Sequence, residues 1–508
     1  MPKFYITSSI AYTNAKPHIG HALELIQADV YARYNRLLDN DTFFLTGTDE
    51  HGAKIVKAAE SHKQTPNDYT NIISKEFQKL TKNLNISNDD FIRTTDQKRH
   101  WPVAQAIWKK LEESGDLYKK NYKGLYCVGH EAFMKPSELK NGVCQDHKSK
   151  PETVEEENYF FKLTKYSKEI VKRIENGELK IIPQHRANEI LELLKDSEDV
   201  SVSRPRKDLA WGIPVPNDKE HTMYVWIDAL TNYLSGIQHR TWNIEHETFQ
   251  EIFQDDKFLK YWPADIHLIG KDILRFHAII WPAILLSAGL DLPKQILVHG
   301  HITVDGEKMS KTLGNVIDPF PLIEKYGVDA TRYFLLREIQ SYEDGDFSYK
   351  KFEERYTADL INNLGNLVNR VAVLHQKFLN GISFIKEGLV DSEIDETIKN
   401  TWQQYHQEIE KFRLHEALSS VFTLASAGNK FIDFHKPWEV IKDRPEHFEQ
   451  IINTCLVIIF NLGWLLKPFL PDTSEEILKQ FGLSKDVSEW DGQKIVTKEQ
   501  KVLFPKLV

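Results

Sequence analysis

The sequence predicts an α/β fold built on a parallel sheet, split by an insertion and followed by an all-α bundle. Three observations predict it. The N-terminal stretch reads strand, helix, strand; the α/β pattern stops near residue 117 and resumes near 207; and helical spacing dominates from residue 352 onward. A chain of 508 residues is too long for one core, so several domains are expected. The expected boundaries are 1–116 for the first catalytic half, 117–206 for the insertion, 207–351 for the second half with a connecting segment, and 352–508 for the bundle.

The elements justify this in order. Residues 4–10 are β-prone, and Pro17 suits the entry to a helix. Leu23, Ile26, Val30, Tyr34 and Leu38 then recur at helical spacing. The apolar run at 43–46 reads as a second strand and ends in Gly47-Thr48-Asp49-Glu50-His51-Gly52. Strand, helix and strand in this order imply parallel pairing, with ligand sites at the carboxyl ends of the strands. Residues 117–206 hold short aromatic-rich pieces, charged turns and paired Cys/His residues. Strands are expected at 223–227, 266–269 and Gln295–His299, with a helix over 273–286 between the last two.

Composition excludes several classes. Hydrophobic residues at 41% and charged residues at 27% are ordinary for a globular protein. A net charge of -9 argues against bulk non-specific nucleic-acid binding, yet a local basic patch on such a chain still contacts phosphates. Three cysteines make no disulfide framework and fit a reducing compartment. The N-terminus shows no cleavable apolar core, and the apolar runs 278–290 and 455–466 fall short of a membrane span. A cytoplasmic protein with no membrane partner is expected.

His18-Ile19-Gly20-His21 lies where a strand gives way to a helix. Gly20 would let a ligand approach the backbone, the helix start would offer N–H groups to an anion, and two imidazoles can donate to phosphate oxygens. Downstream, Lys308-Met309-Ser310-Lys311-Thr312 sets two lysines on a short loop ending in Gly314, suited to neutralising a triphosphate. Alone, each has a plain alternative, a helix cap or a solvated lysine turn. Together, in this order, they resemble the two signatures of class I aminoacyl-tRNA synthetases, which implies a Rossmann-like core. Amino-acid activation needs no enzyme nucleophile, so positioning and charge stabilisation suffice.

Further blocks narrow the resemblance to the methionyl-tRNA synthetases. They are Ser8-Ser9-Ile10-Ala11-Tyr12-Thr13-Asn14, the stretch 47–52, Tyr224-Val225-Trp226-Ile227-Asp228-Ala229, Ile269-Gly270-Lys271-Asp272-Ile273 and Val298-His299-Gly300-His301. Ser203-Arg204 and Trp211-Gly212-Ile213-Pro214-Val215-Pro216 belong with them. The resemblance implies a methionine pocket of Ile10, Tyr12, Asp49, Trp226, Ala229, Leu230, Tyr233, Ile273 and His277. It implies ATP contacts from His18, Gly20, His21, Gly270, Asp272, Lys308 and Lys311, with Mg2+ accompanying the nucleotide. His18, His21, Lys308, Lys311 and Arg204 would be the catalytic set. Asp49 can hold an ammonium, and aromatic rings can wrap a thioether. Leu230 departs from the small residue or proline of some relatives. Discrimination against homocysteine, one methyl group smaller, would be completed by cyclisation to a thiolactone, as in the family.

Cys127-x2-His130 and Cys144-x2-His147 present four plausible zinc ligands as two short knuckles. Either they hold a structural Zn2+, as in some relatives, or they form a hydrogen-bonded knuckle without metal. His130 stands where those relatives place a cysteine. In the helical region Asn366 and Arg370 share one helix face, and Trp438 follows Pro437. By the resemblance these three read the anticodon of tRNA(Met), initiator and elongator alike. The chain stops at Val508 without the extra module that dimerises some relatives, so a monomer is expected. A sister class I synthetase for cysteine or leucine is the nearest rival, lacking here the pocket zinc or the large editing insertion it would require. A catalytically silent tRNA-binding protein is the other.

Overall fold

Seven parallel strands form the sheet on which the first half of the chain is built. The order is Lys180–Ile182, Gln295–His299, Ile266–Gly270, Lys3–Ser8, Asp41–Asp49 and Ala11–Tyr12, with Asp90–Arg93 on the other edge of Asp41–Asp49. The structure is a computed structural model. It describes every residue except 128–131, 135–138, 145–148, 239–247, 310–313, 484–490, 499–500 and 508, and for Ala132 and Phe133 the backbone only.

Ala11–Tyr12 resumes the pairing of Lys3–Ser8 along the same neighbour. Thr7 faces Leu45 and Ala11 faces Thr48, four residues against three. The extra residue marks a bulge, a common device beside a site because it re-aims the side chains that follow.

The chain gathers into two compact units. One comprises Met1–Pro17, Asp39–Lys82 and Ser87–His299; the other comprises His18–Leu38, Asn83–Ile86 and Gly300–Val508. The sheet lies wholly in the first, with a core that includes the fully buried Trp108 and Trp281. Inside that unit Leu117–Cys127 and Glu152–Phe161 pair antiparallel along their length. The following helices, Ser167–Glu175 and Gln184–Lys195, flank Lys180–Ile182, which joins the parallel sheet as an edge strand. A three-residue strand carries too little alternation to be read from sequence.

Two expectations are corrected. The strand expected at 223–227 ends at Met223 and pairs antiparallel in a separate three-stranded sheet, while Val225–Leu230 is helical. A short buried apolar run fits strand and helix equally well by periodicity. The helix expected at 273–286 is a 3-10 turn, Lys271–Ile273, then a π-helical stretch, Phe276–Ile280, then an α-helix from Trp281 to Ala288.

In the second unit, long helices pack as a bundle: Val328–Glu338, Asn366–Leu379, Ser392–Glu410, Leu414–His435, Pro445–Leu466 and Pro471–Phe481. Pro445–Leu466 corrects the reading of its apolar run. It is long and apolar enough to cross a membrane, with mean hydropathy 1.5 over an 18-residue window, but 89% of that window is buried inside the protein. It is the central helix of a core.

The first helix, Ile19–Leu37, belongs to this unit rather than to the sheet that precedes it in sequence. Arg332 explains why. Its guanidinium is fully buried and meets the equally buried Asp29 at 2.8 Å. It also donates to the carbonyls of Leu84, Pro468 and Phe469 at 2.8–3.1 Å. Asp29 takes a second fork from Arg33 at 2.7 Å. A buried charge is tolerable only when every donor is engaged, and here four partners converge on one side chain. Arg332→Met, which leaves Asp29 buried with Arg33 as its remaining guanidinium partner, should lower the stability of this unit by about 3–5 kcal/mol, and the Asp29→Leu/Arg332→Met double variant should recover most of that in urea unfolding.

Candidate active site

Of the residues expected to bind methionine, Asp49 and Tyr12 lie at the carboxyl ends of parallel strands. Asp49 closes the strand Asp41–Asp49 and is 6% exposed. Its carbonyl accepts from the Thr13 N–H at 2.9 Å and the Thr13 hydroxyl at 3.0 Å, which fastens the bulged segment carrying Ile10 and Tyr12 beside it. Ile10, Trp226 and Ile273 pack against one hydrophobic cluster that includes Leu230 and Tyr233, whereas Tyr12 packs into a neighbouring one with Trp211 and Ile55. Ala229 and Leu230 are buried on the helix Val225–Leu230.

Trp226 stacks on Phe276 with ring centroids 3.7 Å apart and planes 8° from parallel. Phe276 was not singled out from the sequence, although it sits between Ile273 and His277 in the same block. The stack gives a flat aromatic wall suited to an apolar chain or a polarisable sulfur.

Hydrogen bonding fixes the protons here. His277 Nδ1 lies 3.0 Å from the Ile273 carbonyl, an acceptor, so Nδ1 carries a proton, and Nε2 is hydrogen-bonded to the Tyr233 hydroxyl at 2.7 Å. The Trp281 indole, a donor only, faces His267 Nε2 at 3.3 Å, so His267 donates from Nδ1 to Thr7 Oγ1 at 2.8 Å. Burial, with His277 nearby, holds His267 well below the usual imidazole range. His267 is therefore neutral.

Glu50 and His51, directly after Asp49, are held just as firmly. Arg93 forks onto the buried Glu50 carboxylate at 2.7 and 2.8 Å, and the Trp211 indole donates to the Glu50 carbonyl at 2.6 Å. His51 donates from Nδ1 to Asp228 at 2.6 Å, and His100 donates from Nε2 to the other oxygen of that carboxylate at 2.8 Å. Gly52 then turns the chain into the next helix at φ 115°, a conformation that favours glycine.

Arg204 is 6% exposed. Its guanidinium lies 5.0 Å from the Tyr126 ring and 5.1 Å from the Tyr224 ring, and it donates to Ser201 Oγ and the Ser203 carbonyl at 2.9 Å. Tyr224 caps the helix of Trp226, so Arg204 steadies the start of that helix. Gly270 ends its strand, and the exposed Asp272 follows on the 3-10 turn.

The second unit holds His18, Gly20, His21 and Lys308 of the residues expected to contact ATP. His18 caps the helix Ile19–Leu37, with Nδ1 accepting from the Gly20 N–H at 3.1 Å, and His21 Nδ1 accepts from the His18 N–H at 3.1 Å. The rings lie 3.8 Å apart. With Nδ1 an acceptor on both neutral rings, Nε2 is the donor on both. Two expectations change. The helix start does not present its backbone to an anion, because the N–H groups of Ile19, Gly20, His21 and Ala22 are engaged by Ile317, His18 Nδ1 and the His18 carbonyl. Gly20 serves the histidine itself, since a Cβ there would sit 2.9 Å from His18 Cε1.

Lys308 is exposed on the short strand Glu307–Lys308, paired with Thr303. Lys311 lies outside the described residues, as do His130 and His147. Their companions Cys127 and Cys144 are fully buried at strand ends. Among the described residues no group of three or more metal-type ligands occurs.

In the bundle, Asn366 donates to Asn429 Oδ1 at 3.0 Å and Arg370 pairs with Asp433 at 2.6 Å. Asn429 and Asp433 lie on Leu414–His435, and that helix leads through Lys436 to Trp438, which is 42% exposed.

Comparison with known proteins places this geometry. The family model described as tRNA synthetases class I (M) matches residues 4–137 and 131–372, and the anticodon binding domain of methionyl tRNA ligase matches 385–502. The methionine--tRNA ligase of Thermotoga maritima is 41% identical over 96% of this chain and 76% of its own. That of Brucella suis is 40% identical over 95% and 92%. Mycobacterium tuberculosis methionyl-tRNA synthetase in complex with methionyl-adenylate superposes with a TM-score of 0.92 at 35% identity, covering 100% of both chains. Its apo form gives 0.84 at 32% identity over 99% and 98%. With both family models and near full-length relatives in agreement, the chain belongs to the class I methionyl-tRNA synthetases.

Proposed function

We propose that the residues described above divide the work of methionine--tRNA ligation. Methionine and ATP react when the amino-acid carboxylate oxygen attacks the α-phosphorus, forming the acyl–phosphate bond of methionyl-adenylate and releasing pyrophosphate. A ribose hydroxyl at the 3′ end of tRNA then attacks the activated carbonyl, and AMP leaves.

Asp49 holds the methionine ammonium, with Ile10 and Tyr12 beside it. The stack of Trp226 on Phe276, with Ala229, Leu230 and Ile273, encloses the thioether side chain. Tyr233, hydrogen-bonded to His277 at 2.7 Å, completes the lining. The observation that carries this reading is the buried Asp49 carboxylate at a parallel-strand terminus, in a unit whose adjoining core is aromatic and neutral.

ATP phosphates take the Nε2–H donors of His18 and His21 and the ammonium groups of Lys308 and Lys311. Gly270 permits close approach of the nucleotide, and Asp272 accepts from its ribose hydroxyls. These donors stabilise charge that grows on the phosphorus oxygens, where losing one typically costs about 2.7–4 kcal/mol. Arg204 acts by steadying Tyr224 at the start of the Trp226 helix. Mg2+ travels on the phosphate oxygens, and no residue of the chain is assigned to it.

The anticodon is read by Asn366, Arg370 and Trp438 on initiator and elongator tRNA(Met) alike. Structural Zn2+ is assigned to Cys127, His130, Cys144 and His147; two fully buried cysteines at strand ends support it. Three buried cysteines with no disulfide support a cytoplasmic setting, and the working unit is a monomer.

Methionine-dependent ATP–pyrophosphate exchange tests the reading directly; exchange driven equally by another amino acid would overturn it. Asp49→Asn should raise KM for methionine roughly ten- to hundredfold while leaving KM for ATP nearly unchanged, matching a lost charge-assisted hydrogen bond of about 1.5–3 kcal/mol. Trp438→Ala should cut tRNA aminoacylation by about tenfold or more through lost stacking, with exchange retained. Protein purified without a His-tag should contain stoichiometric zinc by elemental analysis, and its absence would leave the knuckle metal-free.

A further inference from the structure

Asp228 stands apart among the buried carboxylates of the first unit, because it serves two imidazoles from different parts of the chain. It is fully buried on the helix that carries Trp226, Ala229 and Leu230. One oxygen accepts from His51 at 2.6 Å, two residues beyond Asp49; the other accepts from His100 at 2.8 Å. The far nitrogen of His100 meets the hydroxyl of Ser235 at 2.9 Å, on the short helix that carries Tyr233. The His51 ring is wedged edge-on against Trp211, 5.4 Å between centroids, so it cannot swing away.

Two donors arriving from opposite sides need two acceptor oxygens, and only a carboxylate offers them; an amide of the same shape turns one contact into a donor facing a donor. None of the three side chains has a place in the chemistry assigned above. What they share is position: each is bonded into an element that bears a methionine-binding residue, or fastens such an element to its neighbour.

We infer that Asp228 is a positioning residue for methionine recognition, fixing through His51 and His100 the spacing between the Asp49 carboxylate and the aromatic wall of Trp226. The distance from the ammonium site to the thioether site is then set by this bridge, and the pocket measures the length of its amino acid against it. The inference rests on the methionine-pocket assignment.

Steady-state ATP–pyrophosphate exchange, with methionine and ATP varied separately, tests it. Asp228→Asn should raise KM for methionine by about tenfold and shift preference toward the longer analogue ethionine, with KM for ATP nearly constant. Ser235→Ala, which releases only the outer end of the bridge, should move the methionine KM in the same direction by a smaller factor. Equal changes in both KM values, or none in that for methionine, would overturn the inference. Should Asp228→Asn fail to fold, Ser235→Ala alone decides by the same two outcomes. Asp49→Asn is the control: if it too leaves the methionine KM unmoved, the pocket assignment fails rather than the bridge.

Discussion

A single buried guanidinium holds the second unit together. Arg332 has no exposed surface, and its donors reach Asp29 on the first helix and backbone carbonyls at Leu84, Pro468 and Phe469. Such a group carries a large desolvation penalty, so the arrangement is tolerable only with every partner in place. It is consequently a registry device. It fixes the helix capped by His18 to the turn at Pro468 before Pro471–Phe481, through a residue more than 300 positions away in sequence.

The residues assigned to methionine show the opposite strategy. Apart from Asp49, they carry no acidic or guanidinium side chain. The Trp281 indole is a donor that leaves His267 only an accepting role at Nε2, so protonation there would put donor against donor in a buried site. Burial acts in the same direction on His267. The ionised groups close by, Glu50 and Asp228, are each saturated by dedicated partners, Arg93 for one and the two histidines for the other. Burial alone would raise the Asp228 carboxyl, yet His51 and His100 hold it below its ordinary value. Each of these two charges is thereby matched within the protein.

Much of this was legible in the residues. Parallel pairing followed from the order of strand and helix, and Asp49 lies at a strand's carboxyl end as that order requires. Local chemistry was read less well. The run 225–230 looked like a strand because apolar side chains without a polar break suit both structures. The helix start at Ile19 looked open to anions because capping by a neighbouring imidazole and by the Ile317 carbonyl depends on tertiary placement. Asp228, His51 and His100 are invisible as a set for the same reason. Two of them stood in recognised blocks, but 177 positions separate His51 from Asp228, and no spacing rule joins them. Phe276 was nearer to hand, one residue before His277.

The membership of the first helix has a consequence for how the protein is made. A ribosome emits His18–Leu38 long before Gly300–Val508 exists. At about 5–20 residues per second, the roughly 300 residues between Asp29 and Arg332 take on the order of 15–60 s. Through that interval Asp29 has its helix neighbour Arg33 but not Arg332, while the sheet of the first unit can already form from its own strands. Late arrival of the bundle thus sets the moment at which the helix capped by His18 acquires its buried ion pair.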